Sequence, residues 1–98
     1  MKYELKQNGE ELTVAVEGRL DTATAPELEK AVEPYLKTVS SLIFDFGKLE
    51  YVSSAGLRMI AHAHLNKCQG GFTKAVNCNA VVKEVFEVTG FYDFITVE

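Results

Sequence analysis

The feature that most constrains this chain is a change of period. Leu42-Ile43-Phe44-Asp45-Phe46 is a run of large apolar residues that reads as a buried strand. Beyond it Leu57, Ile60, Ala61, His64, Leu65 and Cys68 recur at helical spacing. Between them stands Glu50-Tyr51-Val52-Ser53-Ser54-Ala55-Gly56-Leu57-Arg58, a polar, small-residue elbow that turns strand into helix. Two hydroxyls, Ser53 and Ser54, therefore sit at a helix N-terminus, where the first backbone N–H groups lack intrahelical partners and carry the positive end of the macrodipole. A serine there caps the helix by accepting a bond from an amide two or three residues on. Alternatively it receives a phosphate, whose charge of about −1.5 to −2 the helix end tolerates. The local residues leave both readings open, with capping the commoner use.

The rest of the chain arranges itself around that elbow. Tyr3, Leu5 and Gln7 alternate with Glu4 and Lys6, and after Asn8-Gly9 the alternation resumes through Leu12, Val14 and Val16. This predicts an antiparallel hairpin with Asn-Gly in a type I′ turn and a second strand ending at Gly18. Gly18 to Thr24 reads as a loop, and Thr24-Ala25-Pro26-Glu27 as an N-cap, a first-turn proline and a capping-box glutamate. The first helix puts Leu28, Ala31, Val32, Tyr35 and Leu36 on one face, and Pro34 kinks or shortens it. Gly47 to Val52 reads as a link to the elbow. The second helix runs from about Ala55 to Lys67, ended by Gln69-Gly70-Gly71, and Phe72 to Val76 supply a fourth strand. Asn79 caps a third helix with Val82, Val85, Phe86 and Thr89 inward and Gly90 at its end, and Phe91-Tyr92-Asp93-Phe94-Ile95-Thr96-Val97 leads to a short final strand.

The order is thus ββαβαβαβ, an α/β class. Strand-helix-strand units need right-handed parallel crossovers, so the helices cover mainly one face of a mixed sheet whose first hairpin is antiparallel. The Leu42–Phe46 strand is expected at its centre, buried on both faces or nearly so.

Composition narrows the function classes. Ninety-eight residues, 47% hydrophobic and 24% charged, supply one core and one domain. A net charge of −4 with scattered Lys and Arg gives no basic footprint for nucleic acid. No apolar stretch approaches the ~20 residues of a membrane span, and Met1 to Leu5 lead into a strand without a signal-peptide core, so a cytoplasmic protein is expected. Cys68 is expected on the apolar stripe of the second helix and Cys78 in a polar loop, without a metal spacing. On a helix His62 and His64 point about 200° apart, so no metal site is expected; His64 reads as a part-buried core residue and His62 as a solvated one. Gly70-Gly71 is only a turn, so neither a phosphate loop nor a cofactor is expected. Nothing in the chain demands a dimer, and a monomer is expected.

Three blocks, in order and covering nearly the whole chain, resemble the STAS family of bacterial anti-sigma factor antagonists. They are Gly18-Arg19-Leu20-Asp21 with Ala25 following, Tyr51-Val52-Ser53-Ser54-Ala55-Gly56-Leu57, and Val81 to Phe91 with its Thr89-Gly90-Phe91 ending. The resemblance implies a single STAS domain over residues 1–98 and a transcription regulator that works by partner switching. The unphosphorylated antagonist binds an anti-sigma factor that is also a serine kinase, phosphorylation breaks that complex, and a cognate phosphatase restores it. The family's phosphorylated serine, two residues before the motif glycine, maps onto Ser54. Asp21, with Thr22 beside it, matches the acid of the loop next to that serine, where it helps engage the kinase. Its plain reading is a loop Asp capping its own turn. Ser53, Gly56, Leu57 and Arg58 complete the implied partner surface, Gly56 by close backbone approach and Arg58 by contact with the partner or the phosphate. The local alternatives are a helix-start glycine kept for packing and a solvated surface charge.

The chain departs from the family twice. Many members carry an aspartate where Ser53 stands, which leaves open a STAS scaffold or sensor that is not phosphorylated. Many also have a further C-terminal helix, whereas this sequence stops at Glu98 after the last strand, so part of the sheet or of the preceding helix is expected to be more exposed. An enzyme class, a serine hydrolase with Ser54 as nucleophile, is opposed by the sequence. Val52 occupies the first glycine position of a Gly-x-Ser-x-Gly elbow, and both histidines lie on the helix just beyond the serine.

Overall fold

The computed structural model describes residues 1–93 and 95–98. Strands β1 (Lys2–Asn8) and β2 (Glu11–Leu20) form the hairpin, followed by α1 (Ala25–Val32), β3 (Ser41–Val52), α2 (Ser54–Asn66), β4 (Thr73–Val76), α3 (Ala80–Val88) and β5 (Thr96–Val97). The sheet has five strands in the order β1-β2-β3-β4-β5, antiparallel between β1 and β2 and parallel elsewhere, with β3 at the centre. The ββαβαβαβ order and the mixed sheet of the sequence reading are those observed. Phe94 of the expected final segment lies outside the described residues.

The core lies on one face of this sheet. Leu12, Val14, Val16 and Leu20 of β2 and Leu42, Phe44, Phe46, Leu49 and Val52 of β3 are buried beneath Leu28 and Val32 of α1, Met59, Ile60 and Ala63 of α2, and Val82 and Phe86 of α3. A row of aromatics runs through it, with ring centroids 5.7 Å apart for Phe44 and Phe46, 6.2 Å for Phe46 and Phe86, and 5.7 Å for Phe86 and Phe91. On the opposite face Ile43 and Asp45 are half-buried, which corrects the expectation that this strand is covered on both sides. No helix of the described residues is long and apolar enough to cross a membrane.

Several local expectations are corrected. The hairpin loop is Gly9-Glu10, one residue later than Asn-Gly, and only Gly9 takes a positive φ, +64°, as at the first position of a type II′ turn. Strand β2 does not stop at Gly18 but passes through it at φ +96° to Leu20. The expected link Gly47 to Val52 is strand as well, because the β2/β3 ladder shifts register between Ala15 and Glu17 and again between Gly18 and Arg19. Each shift lets β3 carry an extra residue, so Leu49 and Val52 reach the core face although their spacing breaks strict alternation. Pro34 does shorten α1, which continues as a 3₁₀ turn over Glu33–Tyr35.

On α2 the buried stripe is Leu57, Met59, Ile60 and Ala63, while Leu65 is 78% exposed. Cys68 lies beyond the helix and is exposed, its thiol donating to the Lys37 carbonyl at 3.3 Å, whereas Cys78 is the buried one. Burial pushes the Cys78 thiol up to about 11. On α3 the Asn79 cap accepts from the Val82 N–H at 2.9 Å, and Gly90 ends the helix at φ +78°. Thr89, expected inward, is exposed; its hydroxyl donates back to the Val85 carbonyl at 2.7 Å.

Candidate functional site

The two serines of the elbow take different roles. Ser53 is the N-cap of α2, with extended backbone at φ −97° and ψ 178°. Its carbonyl receives the Leu57 N–H at 2.9 Å and its hydroxyl accepts from the Gly56 N–H at 3.5 Å. Ser54 is the first residue of the helix, and its side chain is exposed. Capping therefore falls to Ser53 and leaves the Ser54 hydroxyl open to solvent. The first turn of α2 holds no acidic residue, so no side chain of that turn neutralises the positive end of its dipole. Arg58 lies four residues on from Ser54, one turn along the same face, and is exposed.

Backbone pairing brings the loop after β2 to this elbow. Leu20 pairs with Val52 at the ends of β2 and β3, and the Leu20 carbonyl accepts the Ser53 N–H at 2.9 Å. Gly56 sits directly over that junction. A Cβ on it would stand 2.7 Å from Val52 Cγ2 and 2.8 Å from the Leu20 carbonyl oxygen. The close approach that the missing side chain permits is therefore to the protein's own β2 end. Leu57 is also turned into the core, 7% exposed. Of the residues expected at a partner surface, Thr22, Ser54 and Arg58 are exposed, and Asp21 and Ser53 are part-exposed.

The loop itself is organised by Asp21. Its Oδ1 accepts from the Ala23 N–H at 3.0 Å and the Thr24 N–H at 3.2 Å, and the Thr24 hydroxyl oxygen lies 3.2 Å from it. The Asp21 N–H in turn donates to the Thr24 hydroxyl at 2.9 Å. This is the turn-capping role of an Asx residue. Thr24 consequently does not cap α1 with its side chain, contrary to the sequence reading; its hydroxyl donates to the Arg19 carbonyl at 2.8 Å. Partial burial works to raise the Asp21 pKa, but the bonds from Thr24 and Ala23 and the nearby Arg19 charge outweigh it, so the carboxyl titrates below its ordinary value.

Arg19 ties the loop to the strand that ends in the elbow. Its Nε lies 3.7 Å from Asp21 Oδ2, and its guanidinium rests 4.7 Å from the centre of the Tyr51 ring. In the sequence Arg19 stands out only within the Gly18-Arg19-Leu20-Asp21 motif; the alternation that places Arg19 and Tyr51 on the same face appears only once the register shift between Gly18 and Arg19 is known. A shallow cleft of about 340 Å³ separates Pro26 and Glu29 of α1 from Ala55, Arg58 and His62 of α2.

His62, expected to be solvated, spans that cleft. Its Nε2 donates to Glu33 Oε2 at 3.1 Å, while its Nδ1 lies 3.3 Å from Asn66 Nδ2. His64 is part-buried, with Nδ1 2.7 Å from the Thr73 hydroxyl oxygen. Burial, helped by the Lys67 charge, holds its pKa below the ordinary histidine value. Among the described residues no group of three or more His, Cys, Asp or Glu side chains converges as for a metal ion.

Comparison with known proteins agrees with the resemblance of the three motif blocks. The STAS domain family model matches residues 2–98. The anti-sigma-B factor antagonist of Bacillus subtilis is 27% identical over 98 residues, spanning 99% of this chain and 90% of the relative. BtrV of Bordetella bronchiseptica, assigned by name to the anti-sigma factor antagonists, is 33% identical over 88% of this chain and 76% of its own length. The fold matches that of the anti-sigma factor antagonist SpoIIAA in its unphosphorylated form with a TM-score of 0.81 at 17% identity, over 99% of this chain and 88% of SpoIIAA. The phosphorylated form of SpoIIAA matches with a TM-score of 0.77, over 99% of this chain and 91% of that one. The chain belongs to the STAS domain family and, within it, to the anti-sigma factor antagonists.

Proposed function

We propose that this protein is a non-enzymatic, cytoplasmic partner-switching antagonist controlled by phosphorylation of Ser54. Unphosphorylated, the surface made by Asp21, Thr22, Ser53, Ser54 and Arg58 docks an anti-sigma factor that is also a serine kinase, and the bound sigma factor is released. Transfer of a phosphoryl group to the Ser54 oxygen ends that complex, and a cognate phosphatase hydrolyses the ester to reset it. The observation that carries this reading is the division of labour between the serines: Ser53 caps the helix, and Ser54, at the first helical position, is the exposed hydroxyl.

The energetics favour a switch at the interface rather than in the fold. A phosphate on Ser54 stands at a helix N-terminus without acids in its first turn, so the domain accepts the charge in place. A partner packed flush against the same hydroxyl meets a dianion that it has to desolvate, which breaks the complex. SpoIIAA supports this picture, since its phosphorylated and unphosphorylated forms both superpose on this chain over 99% of its length. Ser53, where family members often carry aspartate, caps the helix without adding a charge.

The test is binding of candidate anti-sigma kinases by calorimetry to the wild type, Ser54→Ala and Ser54→Asp, with Ser53→Ala as the cap control. Tight binding by wild type and Ser54→Ala, with Ser54→Asp weakened at least tenfold, is the expected result. Equal binding by Ser54→Asp contradicts it and favours a scaffold that phosphate does not control.

A further inference from the structure

Strand β1 forms one edge of the sheet, seven residues long, and its hydrogen-bonding parity can be read from the hairpin. In a two-residue hairpin the residues flanking the loop exchange the first pair of ladder bonds, and bonded and non-bonded pairs then alternate. Asn8 pairs with Glu11, so Asn8, Lys6, Glu4 and Lys2 turn their backbone groups toward β2. The N–H and C=O groups of Tyr3, Leu5 and Gln7 therefore point outward, along the open edge. These three are symmetric about Leu5.

We infer that this edge pairs with β1 of a second copy of the chain, antiparallel about a two-fold axis through Leu5. Leu5 then exchanges both backbone bonds with Leu5 of the other copy, and Tyr3 does so with Gln7 in each direction. Every outward donor and acceptor of the strand is matched in this one register.

The side chains agree with the same register. Lys2, Glu4 and Lys6 alternate on the open face of the sheet, opposite Glu17, Ala15 and Thr13. The two-fold sets Glu4 against Lys6 and Lys6 against Glu4, two cross-strand ion pairs, where a two-residue slide to a two-fold at Glu4 would set Lys2 against Lys6 and Glu4 against itself. On the helix-covered face the half-buried Leu5, packed against the core, meets its own counterpart. Tyr3, 40% exposed, lies next to it along the edge. Lysines on an edge strand ordinarily deter pairing; here each central one has a carboxylate opposite. Because the two-fold reverses strand direction, the Ser54 elbows fall at opposite ends of a ten-stranded sheet, and pairing leaves both accessible whatever their phosphorylation state.

Sedimentation velocity from about 10 µM to about 1 mM, the range in which small interfaces associate, tests the pairing. The wild type is expected to show a monomer–dimer equilibrium, with the Tyr3, Leu5 and Gln7 amides gaining hydrogen-exchange protection as concentration rises. Glu4→Lys should raise the dissociation constant about tenfold by opposing like charges twice, and the exchanged variant Glu4→Lys/Lys6→Glu should restore it. Tyr3→Pro removes an outward N–H and no bond to β2, and should weaken the dimer without unfolding the hairpin. A monomer at every concentration, a dimer indifferent to Glu4→Lys, or an exchanged variant that stays weak would each overturn the proposal.

Discussion

At the scale of single residues, the site depends on what Gly56 lacks and on which oxygen reaches which amide. Gly56 closes the elbow because Val52 and the Leu20 carbonyl already fill the space that a Cβ would take. Gly56→Ala should lower stability by about 1–2 kcal/mol, the overpacking outweighing alanine's better helix propensity. That corresponds to a thermal midpoint roughly 5–10 °C lower for a domain of this size. An unchanged midpoint would mean that the elbow relaxes around a methyl group. The sequence placed a glycine there without saying what it avoids, since Leu20 lies far from it along the chain. It did identify the Asn79 cap, where one amide and one side chain decide the outcome. It misassigned Thr24 because the threonine hydroxyl is taken up inside the preceding loop, accepting from the Asp21 N–H and donating to the Arg19 carbonyl, while the Asp21 carboxylate holds the Ala23 and Thr24 amides.

At the scale of elements, the β2–α1 loop is bridged in part by the Asp21 carboxylate, and that part of its order is linked to pH. The Asp21 carboxyl has a depressed pKa, so its contribution is fully present above the unfolded-state value of about 3.9 and is lost as pH falls through the lower folded-state value. The amide resonances of Ala23 and Thr24 should titrate with a midpoint below about 3.9, and the titration should vanish in Asp21→Ala. A midpoint at or above that value would mean that the carboxylate is not held by these amides. Element boundaries were the least legible part of the sequence. The two register shifts in the β2/β3 ladder hid the second half of β3, because a bulge breaks the period of two from which strands are recognised. The Asn79 cap and Pro34 act through neighbours in sequence, and those were legible.

At the scale of the whole molecule, a sheet covered on one face holds the ends of two neighbouring strands side by side, and the proposed switch surface is built where they stop. The order of elements was readable because each strand-helix-strand unit has one favoured hand and each apolar period names its element. The distribution of burial was not: Leu65 fits the helical stripe by spacing yet faces solvent, and α2 buries Met59 and Ala63 instead. The central claim is that Ser54, and not the capping Ser53, carries the regulatory phosphate. It is tested most directly by intact-mass and site-mapping spectrometry of the protein taken from its own cells, with Ser54→Ala alongside. A single added phosphate that maps to Ser54 and disappears in Ser54→Ala is the predicted result. Phosphate on Ser53 alone, or none under any growth condition, would contradict it.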